Sequence, residues 1–125
     1  MEENDITYKI RGCIFAVYRN LGPGLLESVY EAALVYELKK NNLEVKSQVP
    51  LPVLYEGIQL EVGFRIDVLV EEKVIVEIKS VEELSKVHYK QLLTYLKLSD
   101  KKVGLLVNFN CDNISENIKR IVNNL

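Results

Sequence analysis

Between residues 43 and 78 the apolar residues recur at every second position, and the parity of that pattern survives two turns. Leu43, Val45, Val49, Leu51, Val53 and Tyr55 hold odd positions, and Pro50 and Pro52 among them mark an edge strand. Glu56-Gly57 then reads as a two-residue turn, after which Ile58, Leu60, Val62, Phe64, Ile66, Val68 and Val70 hold even positions. Such a turn pairs 55 with 58, so the odd set before it and the even set after it share one face. Val74, Val76 and Ile78 continue the even set beyond the polar tip Glu71-Glu72-Lys73. A three-residue tip pairs 70 with 74 and hence 67 with 77. Asp67, Glu77 and Lys79 therefore share the opposite face, with Leu69 and Ile75 among them.

Helical periods flank this region. Ile6, Ile10, Cys13, Ile14, Val17, Tyr18 and Leu21 form one stripe, with Asn4 or Asp5 as the N-cap and Gly22-Pro23-Gly24 as the stop. A second helix is expected from about Leu25 to Asn41, with Leu26, Tyr30, Ala33, Leu34 and Leu38 inward. A third runs from about Ser85 to Leu98 and buries Leu92, Tyr95 and Leu96. Val103 to Val107 is a continuous apolar run, expected to be a strand buried on both faces and parallel to its predecessor across the crossover helix. Ile114 to Leu125 reads as a closing helix capped by Asp112 or Asn113. The expected order is α-α-β-β-β-α-β-α around a mixed sheet, a single α/β domain over residues 1–125.

Composition excludes several classes. Two cysteines far apart and one histidine do not make a zinc site, and Cys13 on an apolar stripe reads as a reduced, buried thiol. No apolar run approaches the ~20 residues of a membrane span, and the polar, acidic start MEENDITYK is no secretory signal. The expected setting is the cytosol. A net charge of −2 gives no basic footprint for nucleic acid, and no helix-turn-helix, zinc finger or basic arm is visible.

The carboxylates argue otherwise. Two of them across paired strands, facing inward, repel each other unless a cation joins them. Mg²⁺ and Mn²⁺ prefer such oxygen ligands, and an ammonium two residues on suits the stabilisation of a phosphoryl transition state. The implied chemistry is metal-assisted hydrolysis of a phosphodiester. The same spacing also describes a solvated hairpin face, and burial separates the two.

Phe64-Arg65-Ile66-Asp67 followed by Glu77-Ile78-Lys79 resembles the core of the PD-(D/E)xK nuclease superfamily, with Ile66 where the family's motif has proline. Upstream, Gly24 to Tyr30 resembles the signature of the GxxExxY proteins. Downstream, Gln91 to Tyr95 resembles the QxxxY element of the exonuclease-type branch. The resemblance implies a PD-(D/E)xK restriction-endonuclease-like fold and an Mg²⁺- or Mn²⁺-dependent nuclease acting on nucleic acid, DNA foremost. Asp67 and Glu77 would be metal ligands, Lys79 the catalytic lysine and Glu27 a further acid and ligand. Gln91 would hydrogen-bond the lysine or a substrate phosphate, with Tyr95 on the same helix face. Arg65 binds phosphate or pairs with a carboxylate, while His88 and Tyr30 read as structural. The alternative is a catalytically silent domain of the same fold that binds nucleic acid or a partner.

Overall fold

The computed structural model describes residues 1–125. Helix α1 (Glu3–Leu21) and helix α2 (Glu27–Lys40) are followed by strand β1 (Val45–Leu51), the short strands β2 (Leu54–Tyr55) and β3 (Ile58–Gln59), then β4 (Phe64–Val70) and β5 (Val74–Lys79). Helix α3 (Lys86–Ser99) leads to β6 (Val103–Asn108), a 3-10 turn (Ile114–Asn117) and β7 (Ile118–Val122). Five strands form one mixed sheet in the order β1-β4-β5-β6-β7, with β5 and β6 parallel and the other neighbours antiparallel. Strands β2 and β3 form a separate ribbon. No helix is long and apolar enough to cross a membrane.

The alternation expected from residue 43 onward holds in register: Tyr55 faces Ile58, Val68 faces Val76 and Val70 faces Val74. Edge strand β1 carries Pro50, whose missing N–H costs nothing where no neighbour waits. The even set does not form one face, however. Val68, Val70, Val74, Val76 and Ile78 pack beneath α1 and α2, whereas Ile66 joins Leu69, Ile75, Leu92, Tyr95 and Leu96 in a second core beneath α3. The opposing strand changes faces in step, with Val45 against the first core and Val49 and Leu51 in the second. The change falls at Gln48, which has φ 52° and lies between the pairs Ser47–Val68 and Val49–Ile66. Ile58, Leu60 and Val62, on or just after the separate β2–β3 ribbon, stay exposed, and Phe64 at the start of β4 is only partly covered.

Three further expectations need correction. Helix α1 begins two or three residues early, its N-cap being Glu2 rather than Asn4 or Asp5, with no side-chain cap. Leu26 is 74% exposed because it is the N-cap of α2 and precedes the helix's inward stripe. The closing helix is absent: Asn113 caps only the 3-10 turn, accepting from Ser115 N–H, and residues 118–122 pair with β6. Ile114, Ile118, Ile121, Val122 and Leu125 have helical spacing, but β6 is buried along its whole length and needs hydrogen-bond partners on both edges. Residues 118–122, with the β-branched Ile118, Ile121 and Val122 among them, supply the second edge.

Gly104, the second residue of β6, lies directly beneath Leu92 of α3. A Cβ there would stand 2.9 Å from Leu92 Cδ1 and 3.1 Å from its Cγ, and Leu92 is fully buried. Gly104→Ala should therefore cost about 1–3 kcal/mol of unfolding free energy by urea titration, and Leu92→Val in the same chain should recover part of it. An unchanged urea midpoint for the single variant would show that α3 can move away freely.

Candidate active site

Strands β4 and β5 pair as an ordinary ladder only from Val70–Val74 to Val68–Val76. One step further their backbone bonds give way to side chains. Asp67 N–H donates to Glu77 Oε2 at 2.9 Å, and Ile78 N–H donates to Asp67 Oδ2 at 2.9 Å. The neighbourhood of 67 and 77 expected from parity is realised, with both carboxylates lying in the opening between the strands. Leu69 and Ile75, the apolar residues among the charges, are buried, so this is no solvated face.

Burial dominates the electrostatics. Glu77 is only 4% exposed. Desolvation, and then the charge of Asp67, raise its pKa to about 8, while Asp67 N–H and Lys79 pull the other way. Asp67 is raised too, chiefly by desolvation, against the opposing pull of Ile78 N–H and Lys79. Lys79 ends β5 half-buried and forms no ion pair with either acid. Its ammonium is therefore free to face an incoming anion.

The segment after Lys79 is secured from two sides. From the α2 side, Ser80 N–H donates to Glu27 Oε2 at 3.0 Å and Ser80 Oγ donates to Leu25 O at 2.6 Å. From β6, Phe109 N–H donates to Lys79 O at 2.9 Å, and the buried Asn108 brackets Val81, accepting from its N–H at 3.0 Å and donating to its carbonyl at 2.9 Å. Tyr30 fixes the start of α2. Its hydroxyl donates to Gly22 O at 2.5 Å and accepts from Leu25 N–H at 3.1 Å, while its ring stacks on Phe109 at 4.4 Å. The structural role expected of Tyr30 is thus found.

The other expected residues divide. Tyr95 is buried beneath the site, and desolvation followed by the charges of Glu77 and Asp67 raises its pKa to about 12. Gln91 lies one turn away on α3 but makes no hydrogen bond to Lys79 or to either acid. Arg65 points to the β1 edge, donating from Nη1 to Gln48 O at 3.4 Å, and pairs with no carboxylate. His88 accepts from Ser85 N–H through Nδ1 in the capping box of α3, a structural role. Glu27 accepts from Ser80 N–H, and its charge reaches Asp67 and adds to the rise of that acid.

Two neighbours were missed. Glu31, one turn after Glu27, accepts from Gln48 Nε2 at 2.8 Å, and its charge adds to the rise of Glu77. Gln48 is the residue at positive φ that the register sets opposite Asp67. The i, i+4 spacing of Glu27 and Glu31 was the available signal for the first. Nothing local announced the second.

The donor set suits a hard divalent cation. No three His, Cys, Asp or Glu side chains converge into a closed cage. Mg²⁺, however, commonly takes one or two carboxylates and keeps waters for the rest. Glu77 Oε1 has no protein donor and, since no buried side-chain oxygen is left without a partner, still touches solvent, while the charged forms of both acids are disfavoured. A cation there would relieve both.

Residues 4–121 match the family described as the PD-(D/E)XK nuclease superfamily, a span that runs from α1 into β7. No curated protein and no solved structure matches the chain significantly. Superfamily members are typically nucleases and generally use divalent metal ions, which agrees with a buried carboxylate pair beside a lysine at the mouth of a mixed sheet. With all but the chain's extreme ends inside the match, the protein belongs to the PD-(D/E)XK nuclease superfamily.

Proposed function

We propose that the protein is an Mg²⁺- or Mn²⁺-dependent nuclease that hydrolyses phosphodiester bonds of DNA, in the cytosol, and that it falls among the GxxExxY proteins and the exonuclease-type branch. The observation that carries this reading is the Glu77 carboxylate, almost wholly buried beside Asp67 and two residues from an unpaired lysine. Asp67 and Glu77 would hold the cation, which supplies Lewis-acid polarisation of a phosphate oxygen when bound. Lys79 opposes the negative charge that grows on the phosphoryl oxygens in the transition state. Its backbone is immobilised through Ser80, Val81 and Phe109, so little reorganisation is left for the reaction. Glu27 acts by holding Ser80, and so as a positioning residue. Gln91 and Tyr95 present a donor face on α3 to the substrate.

Millimolar Mn²⁺ should raise the melting temperature of the wild type, by about 2.7 kcal/mol of stability at a hundredfold excess over Kd. Asp67→Asn should lose that shift. Lys79→Ala should keep it while cleaving DNA about 10²- to 10³-fold more slowly. A metal-induced shift with no cleavage by the wild type would favour the silent binding domain, and no shift at all would remove the metal site.

A second expectation concerns pH. Glu77 binds its proton more tightly folded, with a pKa of about 8, than unfolded, near 4.5. The native state then holds the extra proton between those values, so metal-free stability falls as pH rises through that window and levels off above it. The loss amounts to roughly 1.4 kcal/mol per unit by which the pKa is raised. Glu77→Gln stays neutral and keeps an oxygen acceptor for Asp67 N–H, so urea midpoints measured in chelator from pH 5 to 9 should lose most of this slope. An equal slope in both proteins would mean that Glu77 is charged throughout.

A further inference from the structure

A depression of about 310 Å³ lies against α3, lined by Phe64, Val87, Lys90, Gln91, Thr94 and Tyr95, with Phe64 on the same strand, β4, as Asp67. Its composition is not that of a folding core. Tyr95 is 4% exposed, but the Phe64 ring that leans on it, centroids 5.1 Å apart at 49°, is 36% exposed. Val87, in the first turn of α3, is 68% exposed. Apolar surface is thus left open around a buried tyrosine whose hydroxyl lies within the field of Glu77 and Asp67. The polar residues of the lining are of three kinds: the Lys90 ammonium, which pairs with no acid, the Gln91 amide and the Thr94 hydroxyl.

We infer that this depression is a base subsite, taking one unpaired nucleobase of a single-stranded nucleic acid whose adjoining phosphate lies at the Asp67–Glu77 opening. The inference rests on the nuclease reading for its class of ligand. A nucleobase has flat apolar faces and an edge of donors and acceptors. Phe64 and Val87 meet the first need, Gln91 and Thr94 the second. Lys90 suits a flanking phosphate. A base stacked within a duplex cannot enter such a depression without leaving its pair. The chain's net charge of −2 also supplies no broad basic surface to grip two backbones at once. Stacking on an aromatic side chain is tolerant of base identity, so the subsite selects for single-strandedness rather than for a sequence.

The test uses the whole chain with Lys79→Ala, in Mn²⁺, so that the strand is not consumed. Affinity is measured for a short single-stranded oligonucleotide, for its duplex, and for a series in which one abasic sugar is moved along the strand. The single strand should bind more tightly than the duplex, and the abasic sugar should weaken binding at one position far more than elsewhere. Adding Phe64→Ala should reduce single-strand affinity roughly 5- to 100-fold and level the abasic series, while Phe64→Trp should retain both. Melting curves confirm that each variant is folded.

An abasic series flat at every position, equal affinity for duplex and single strand, or an unaffected, folded Phe64→Ala protein would each overturn the subsite. So would no binding to any strand. Wild-type cleavage in Mn²⁺ is scored separately. Cleavage with a flat abasic series sinks the subsite and leaves the nuclease, whereas base-dependent binding without cleavage sinks the nuclease and leaves the subsite.

Discussion

The pair of hydrogen bonds from Asp67 N–H to Glu77 and from Ile78 N–H to Asp67 is the constraint on which the rest of the molecule depends. Where β4 and β5 stop pairing through their backbones, two backbone donors remain, and the carboxylates accept from both. A buried N–H without a partner is costly, and so is a buried charge. This arrangement settles the first debt with the second, but incompletely, since desolvation still raises both acids. The residual cost is what a divalent cation would offset. A stable fold and the proposed metal site would thus share two side chains.

Everything around that opening serves to hold it. Tyr30 fixes the Gly22–Leu25 loop, Leu25 and Glu27 fix Ser80, and Asn108 fixes Val81. Leu25, Glu27 and Tyr30 are therefore parts of one mechanical link between the start of α2 and the end of β5. On the other side Gly104 lets α3 lie close enough for Tyr95 to approach the acids.

Parity carried the sequence reading far, because a side-chain period of two leaves little freedom once two turn lengths are set. It brought Asp67 and Glu77 together, and the prolines at 50 and 52 marked β1 as an edge. It failed at Gln48, where a residue at positive φ lets β1 and β4 change faces together, an event that alternation cannot record. The last twelve residues failed for the opposite reason. Their spacing fits a helix, yet the open edge of β6 decides their conformation, and that edge is a property of the assembled sheet. Asn108 and Glu31 escaped notice because their partners, Val81 and Gln48, are distant in sequence.

The bonds from β6 to the segment after Lys79 have a consequence for the order in which the protein is made. Synthesis runs from the N-terminus, so α1, α2 and the β4–β5 hairpin emerge before β6 exists. Until Asn108 and Phe109 have left the ribosome, residues 79–81 lack half of their anchors, and β5 lacks its parallel neighbour. The site is a late event of synthesis, since non-local pairings form only after the intervening loop has closed. The opening between β4 and β5 is thus completed only once β6 and the residues just after it are there to pair.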